Sequence, residues 1–332
     1  MTPSKPFSFV HFDDPNARLV AELRFRARMA KGLYASRREY LLAKFGPERI
    51  AQGGAIPVPD GSPSVWDLSA EDELRRGLLW MSQGAANPFS AIVIRGQPTI
   101  LVPGAQPEAP VLFAEPCSGA VNARHAGYAH GSPSAIALVV ASNRDESRFF
   151  TEHRPGEFQA CYVLDLRPRS RGAWWAFRAA DGQVVGGYGW DEASDAAFQP
   201  IRPRLAEPPK PWVVALADNA WVGDQNLRKL IVPEDAVHAS GCPVVDLAGV
   251  ASGQASACLA GRMTEIELAA GSLLLEAAWA PDDRAEGHCL LTHATARQSP
   301  YLQGQDESPD GGISVCTRHV LAAANPWLFR QI

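Results

Sequence analysis

The chain has 332 residues, 46% of them apolar and 20% charged, with a formal net charge of -5. That length allows a sizeable core, as one large domain or two fused halves. The acidic balance excludes the basic footprint that nucleic-acid binding needs, and no window reaches the roughly 18 apolar residues of a membrane helix.

The opening MTPSKPFSFVHFDD has neither an apolar stretch nor a small-residue cleavage pattern, so no signal peptide is expected. Asp14 to Phe45 predicts a helix, with Leu19, Leu23, Phe25, Met29, Leu33, Tyr40 and Leu41 near helical spacing and Gly46-Pro47 as its stop. A Gly/Pro loop is expected over 53–63 and a second helix over Ser69 to Trp80, with Ser69 as its cap. From Ala91 to Pro211 the runs SAIVI, TILV, ALVVA, CYVLDL and AWWAF read as strands, punctuated by GQVVGGYG and by the Pro-rich QPIRPRLAEPPK. The latter suggests a boundary near residue 205, dividing a larger sheet half (1–205) from a smaller α/β half (206–332). Beyond it, Trp212 to Leu216 predicts a strand and Trp221 to Leu230 a short helix. Further helices are expected over Pro243 to Gly253 and Thr264 to Ala278, and short strands around Ile313 to Cys316 and at Val320. Strands alternating with helices indicate an α/β fold. Six well-separated cysteines with no C-x-x-C are expected to be reduced thiols in a cytoplasmic protein.

Several segments, taken in order, carry a resemblance: DGSPSVWD from Asp60, VLFAEPCSG from Val111, SNRDES from Ser142, GAWWAFRAADGQVVG from Gly172, Gly241-Cys242-Pro243, and TEIELAAG from Thr264. Together the chain resembles the inositol monophosphatase superfamily, most closely its magnesium-dependent 3'(2'),5'-bisphosphate nucleotidase branch. The resemblance implies a layered α-β-α-β-α sandwich. It also implies site residues. Asp67 and Ser147 match the pair that orients the attacking water, and Ala114-Glu115 the acidic E-E metal element. In SNRDES, set against D-P-x-D-G-T, Ser142 replaces the metal-bridging Asp, Asp145 keeps the second Asp, and Glu146 replaces Gly. Glu267 stands for the metal-binding Asp of the late W-D, and Gly241-Cys242-Pro243 for G-S-A. The segment Pro88 to Pro110 has no counterpart in this pattern.

Two metals held close together need a shared carboxylate. A Ser at that position removes the bridge and one charge, while Glu146 adds repulsion toward phosphate. The resemblance therefore implies no tightly bound cofactor and at most a single Mg2+ on Glu115, Asp145 and Glu267. Asp67, Asp145, Glu146 and Ser147 are the candidate catalytic groups; Ser142, Gly241 and Cys242 are the candidate substrate contacts. Blander readings stand beside these. Thr264-x-x-Glu267 is also a capping box, in which Glu267 only closes a helix terminus, and Asp67, Asp145 and Glu146 also read as a cap and solvated turn acids. Three functions are in contention: a repurposed small-metabolite cleft, a reduced-metal phosphatase, and a pseudoenzyme acting through a protein partner. The first is favoured. A small metabolite is the expected partner, nucleic acid and membrane are not, and a homodimer is left open.

Overall fold

The computed structural model describes residues 9–52, 55–57, 65–67, 71–80, 87–95, 97, 99–106, 108–120, 133–142, 158–167, 172–191, 197–202, 213–216, 236–278, 290–292 and 318–323. A short 3-10 turn, Phe9–His11, leads into helix α1, Pro15–Gln52. The hairpin β1 (Ala55–Pro57) and β2 (Val65–Asp67) and helix α2 (Glu71–Trp80) follow.

The large sheet holds eight strands. These are β3 (Ala91–Ile94), β4 (Ile100–Leu101), β5 (Val111–Ser118), β6 (Ala135–Ala141), β7 (Phe158–Asp165), β8 (Gly172–Arg178), β9 (Val184–Trp190) and β10 (Ala197–Pro200). Their order is β10-β9-β8-β7-β6-β5-β3-β4, antiparallel throughout except for the parallel pair β3/β5. A smaller sheet follows. It is built from β11 (Val213–Leu216), β12 (Ala236–Ala239), β13 (Ala257–Met263), β14 (Leu290–Thr292) and β15 (Arg318–Ala323), in the order β12-β11-β13-β15-β14. Helices α3 (Pro243–Ser252) and α4 (Glu265–Ala277) lie between the two sheets.

This is an α/β sandwich. Helices α1 and α2 cover one face of the large sheet; α4 packs on its other face, and α3 bridges α4 to the small sheet. The central strands are buried on both sides, which is why they read as unbroken apolar runs rather than alternating ones. On β5, Leu112 and Ala114 face the α1 side, while Val111 and Phe113 face α3 and α4. On β6, Ile136, Leu138 and Val140 divide from Ala135, Ala137 and Val139 in the same way. The core between the large sheet and α3 and α4 contains residues on both sides of position 205, from Ala91 to Ala278. The expected outermost helical layer, with the helix over 221–230 and the strand over 313–316, lies outside the described residues.

Several local readings need correction. The α1 run leaves helical geometry at Gly46 (φ 75°, ψ 163°), as the stop signal predicts, but Pro47 then opens a further stretch to Gln52. Its buried stripe is Ala17, Val20, Leu23, Ala27, Ala30, Tyr34 and Leu41, whereas Phe25, Leu33 and Tyr40 are exposed. Leu23 and Leu41 thus lie on the contact face as their spacing predicts, alongside the small Ala17, Ala27 and Ala30, while Phe25, Leu33 and Tyr40 do not. Part of the expected 53–63 loop is strand β1. GQVVGGYG does not break the sheet: it is most of β9, paired on both sides. Its glycines answer to packing. A Cβ on Gly187 would lie 2.6 Å from the Trp175 ring.

A similar close approach joins α3 to α4. A Cβ on Gly271 would fall 2.8 Å from Leu247 Cβ and 2.2 Å from Leu247 Cδ1. Gly271→Ala is therefore expected to destabilise the fold by about 1–3 kcal/mol, as overpacking does, despite the roughly 1 kcal/mol that alanine gains in a helix. Urea melts test this. Combined with Leu247→Ala, the loss should be smaller than the sum of the two single losses.

Candidate functional site

Strand β5 ends irregularly, and the cause is local. Pro116 has no N–H to give the ladder, and the pairing with β6 slips between Glu115 and Ser118. The bulge frees the Cys117 N–H, which donates to Glu115 Oε1 at 3.2 Å. Gly119 then turns the chain with φ +72°. A Cβ there would meet Pro133 O at 2.9 Å and Cys242 Cβ at 3.0 Å, so only glycine fits.

Two other elements converge on this strand end. Helix α3 begins after Cys242, whose N–H donates to Ser240 Oγ (2.9 Å) and whose Sγ donates to Ser118 Oγ (3.3 Å). Helix α4 begins with a complete capping box: the Glu267 N–H donates to Thr264 Oγ1 at 3.1 Å, and the Thr264 N–H donates to Glu267 Oε2 at 2.6 Å. Ser118 also hydrogen-bonds Glu267. From the neighbouring parallel strand β3, register places Ile94 beside Ala114. The next residue, Arg95, then reaches Glu115 Oε2 with its Nε at 2.6 Å.

The cluster is dry. Glu115 and Ser118 are each 1% exposed, Cys242 is 0% and Glu267 4%. Burial pushes the Glu115 carboxyl up to about 7, with Arg95 pulling it down and Glu267 pushing it further up. Burial also raises Glu267, against the opposing hydrogen bonds from Ser118 and Thr264. The Cys242 thiol is raised well above its ordinary value by burial, so it is an inert thiol rather than a nucleophile. Nearby on α3, burial lifts Asp246 to about 7 while the Ser240 hydroxyl donates to its Oδ2 at 2.5 Å.

The structure brings together four of the sequence-predicted residues: Glu115, Glu267, Gly241 and Cys242. It does not bring Ser142. In the antiparallel pair β5/β6, Glu115 lies opposite Ala137 and Val111 opposite Ala141. Ser142 is thus at the other end of the strands, about 17 Å along them, and exposed. The expected convergence of Ser142 with Glu267 is corrected on this ground: in an antiparallel pair the exit of β6 adjoins the entry of β5, not its exit. Asp145, Glu146 and Ser147 lie outside the described residues. Asp67 closes β2, its backbone opposite Ala55.

The residues missed at the sequence level are Arg95 and Ser118. Glu115-Pro116-Cys117-Ser118-Gly119 keeps the Pro and Gly of D-P-x-D-G and follows its strand into a turn. Glu stands for the first Asp and Ser for the second. The sequence carries that signal, but Asp145 in SNRDES gives a competing match to the second Asp, with Glu115 then falling on the acidic E-E element.

By sequence, no family model and no curated protein matches the chain. By structure, solved proteins match it over nearly their whole length. Mycobacterium tuberculosis SuhB aligns at a TM-score of 0.55 and 16% identity, covering 94% of this chain and 93% of that one. The Thermotoga maritima IMPase aligns at 0.55 and 11%, covering 95% and 96%. The chain has the inositol monophosphatase fold. An inositol monophosphatase from Anabaena agrees, at 0.53 and 13% identity over 95% and 94%. Identities this low establish the fold and not the chemistry.

A divalent metal ion at this strand end would need free oxygen ligands. Glu115 Oε2 is held in an ion pair with Arg95 that lacks the alignment of a hydrogen bond, Oε1 accepts from the Cys117 N–H, and one Glu267 oxygen accepts from the Thr264 N–H. Ser118 is neutral, and the Cys242 thiol stays protonated. A hard cation needs several free carboxylate oxygens, and among the described residues no group of three or more His, Cys, Asp or Glu gathers to offer them. This arrangement does not fit such an ion.

Also among the described residues, Cys117, Cys161, Cys242 and Cys258 are buried, and no helix is long and apolar enough to cross a membrane.

Proposed function

We propose that this chain is a diverged protein of inositol monophosphatase fold that binds a small metabolite and no longer performs two-metal hydrolysis of phosphate esters. One observation carries the reading: Ser118, at the strand end facing Glu267, is a neutral hydroxyl tied to Cys242 and Glu267 where D-P-x-D-G would supply an acid. In this reading Glu115-Pro116-Cys117-Ser118-Gly119 is the eroded metal motif, in place of SNRDES. Asp145, Glu146 and Ser147 have no part in that motif.

Glu115 and Glu267 disfavour an anionic ligand close to them, since a buried acid pair with one arginine has no positive charge to spare. The expected ligand is therefore a neutral or cationic metabolite rather than a phosphate ester. The cytoplasm remains the expected setting, and a homodimer is left open.

The test is phosphate release from adenosine 3',5'-bisphosphate, inositol phosphate and other phosphomonoesters, with Mg2+ and with EDTA. Turnover should stay at background in both. Robust turnover abolished by EDTA would replace this reading with the reduced-metal phosphatase.

A further inference from the structure

The Glu115–Glu267 cluster raises a question of charge. Two carboxylates withdrawn from water and close enough to repel need a positive partner, and the fold's usual partner does not fit here. Arg95 supplies one from the protein itself. It follows β3 directly, its own N–H donates to Ala114 O at 3.0 Å, and that bond sets its Cα beside Glu115. Its Nε meets Glu115 Oε2 at 2.6 Å, with the arginine side chain 23% exposed and the glutamate 1%. The guanidinium approaches from the open side, and the acids are sealed behind it. A guanidinium suits this place because it stays charged at any working pH and so acts as an ion-pair partner to Glu115 throughout.

We infer that Arg95 is a tethered replacement for a metal ion, neutralising the Glu115–Glu267 pair from within the chain and closing the site to divalent cations. The inference rests on the proposed reading that the E-P-C-S-G segment is the eroded metal motif. It adds what now holds the acids together and why a cation would be excluded. Arginine is covalently held, so the cluster needs no cation from solution to be stable.

The test is thermal unfolding of the full chain, with Mn2+ as the probe and EDTA as control. The wild type should show no shift with either. Arg95→Ala should lower the melting temperature by roughly 5–10 °C, the effect of leaving a buried acid without its partner. Millimolar Mn2+ should return part of that loss. Arg95→Lys keeps a charge at the position and should lose less, with no response to Mn2+. Arg95→Ala combined with Glu115→Gln removes both charges, and should melt closer to the wild type than Arg95→Ala does, again with no Mn2+ response. That variant also serves if the single alanine variant does not fold.

Two results would overturn the inference. One is an Arg95→Ala/Glu115→Gln variant as unstable as Arg95→Ala, which would mean that Arg95 acts by packing alone. The other is a wild type stabilised by Mn2+ in a manner that Glu115→Gln abolishes, which would place a metal where Arg95 is assigned. Both are read from unfolding, whereas the proposed function is judged by EDTA-sensitive phosphate release, so either can fail while the other stands.

Discussion

Ser118→Asp, which rebuilds the acidic position of the proposed motif, is expected to destabilise the protein rather than create a metal centre. The new carboxylate would enter a floor where Glu115 and Glu267 are already sealed from water, with Arg95 paired to Glu115. It would also remove the hydroxyl that bonds Glu267 and receives the Cys242 thiol. An uncompensated charge in such a place costs about 3–5 kcal/mol. Ser118→Ala, which loses only the hydrogen bonds, should cost about 1–2 kcal/mol. Chemical denaturation at neutral to alkaline pH would measure both. The gap between the Asp variant and the wild type should narrow in acid, where the added carboxyl can carry a proton. An Asp variant as stable as the wild type would show that this floor is open to water or cations, contrary to the packing described.

Much of the architecture was legible because its causes are local. The Thr264-x-x-Glu267 box fixes the start of α4, and Gly253, at φ 75°, ends α3 where the pattern places a stop. The runs ALVVA and CYVLDL are strands because both faces are buried, a condition that leaves no polar position to interrupt them. Strands β12, β13 and β14 were missed: AVHA and LLT are short, and ACLAGRM carries a glycine and an arginine.

The site was only half legible. Glu267, Glu115, Gly241 and Cys242 are each set by a local turn or helix start, and those assignments located them. Arg95 belongs to the cluster only because β3 runs parallel to β5, a pairing across 20 residues with no local signature. In the proposed reading EPCSG takes the place of SNRDES because its strand end faces α4, a matter of sheet register that a motif matched residue by residue does not carry.

Stability should fall as pH rises from acid to mildly alkaline, and Asp246 provides the cleanest measure of the effect. Burial raises its carboxyl from the ordinary 3.8 to about 7, the Ser240 hydroxyl opposing this in part. A raised acid in the folded state means that the native protein holds its proton more tightly than the unfolded chain does. Its contribution is therefore complete below about pH 4 and lost as the pH climbs through about 7. At roughly 1.4 kcal/mol per pH unit over that interval, the loss is on the order of 4 kcal/mol. Glu115, also lifted by burial to about 7, adds to the slope with the same sign. Asp246→Asn keeps an oxygen to accept from Ser240 but cannot ionise. It should match the wild type near pH 4 and exceed it by a few kcal/mol near pH 8, leaving a residual slope from Glu115. Urea melts of the two proteins across that range provide the comparison. Parallel curves, with no gain for the Asn variant in alkali, would mean that Asp246 ionises in the folded protein as freely as in the unfolded one, and that the Ser240 hydroxyl and the α3 N-terminus offset its burial in full.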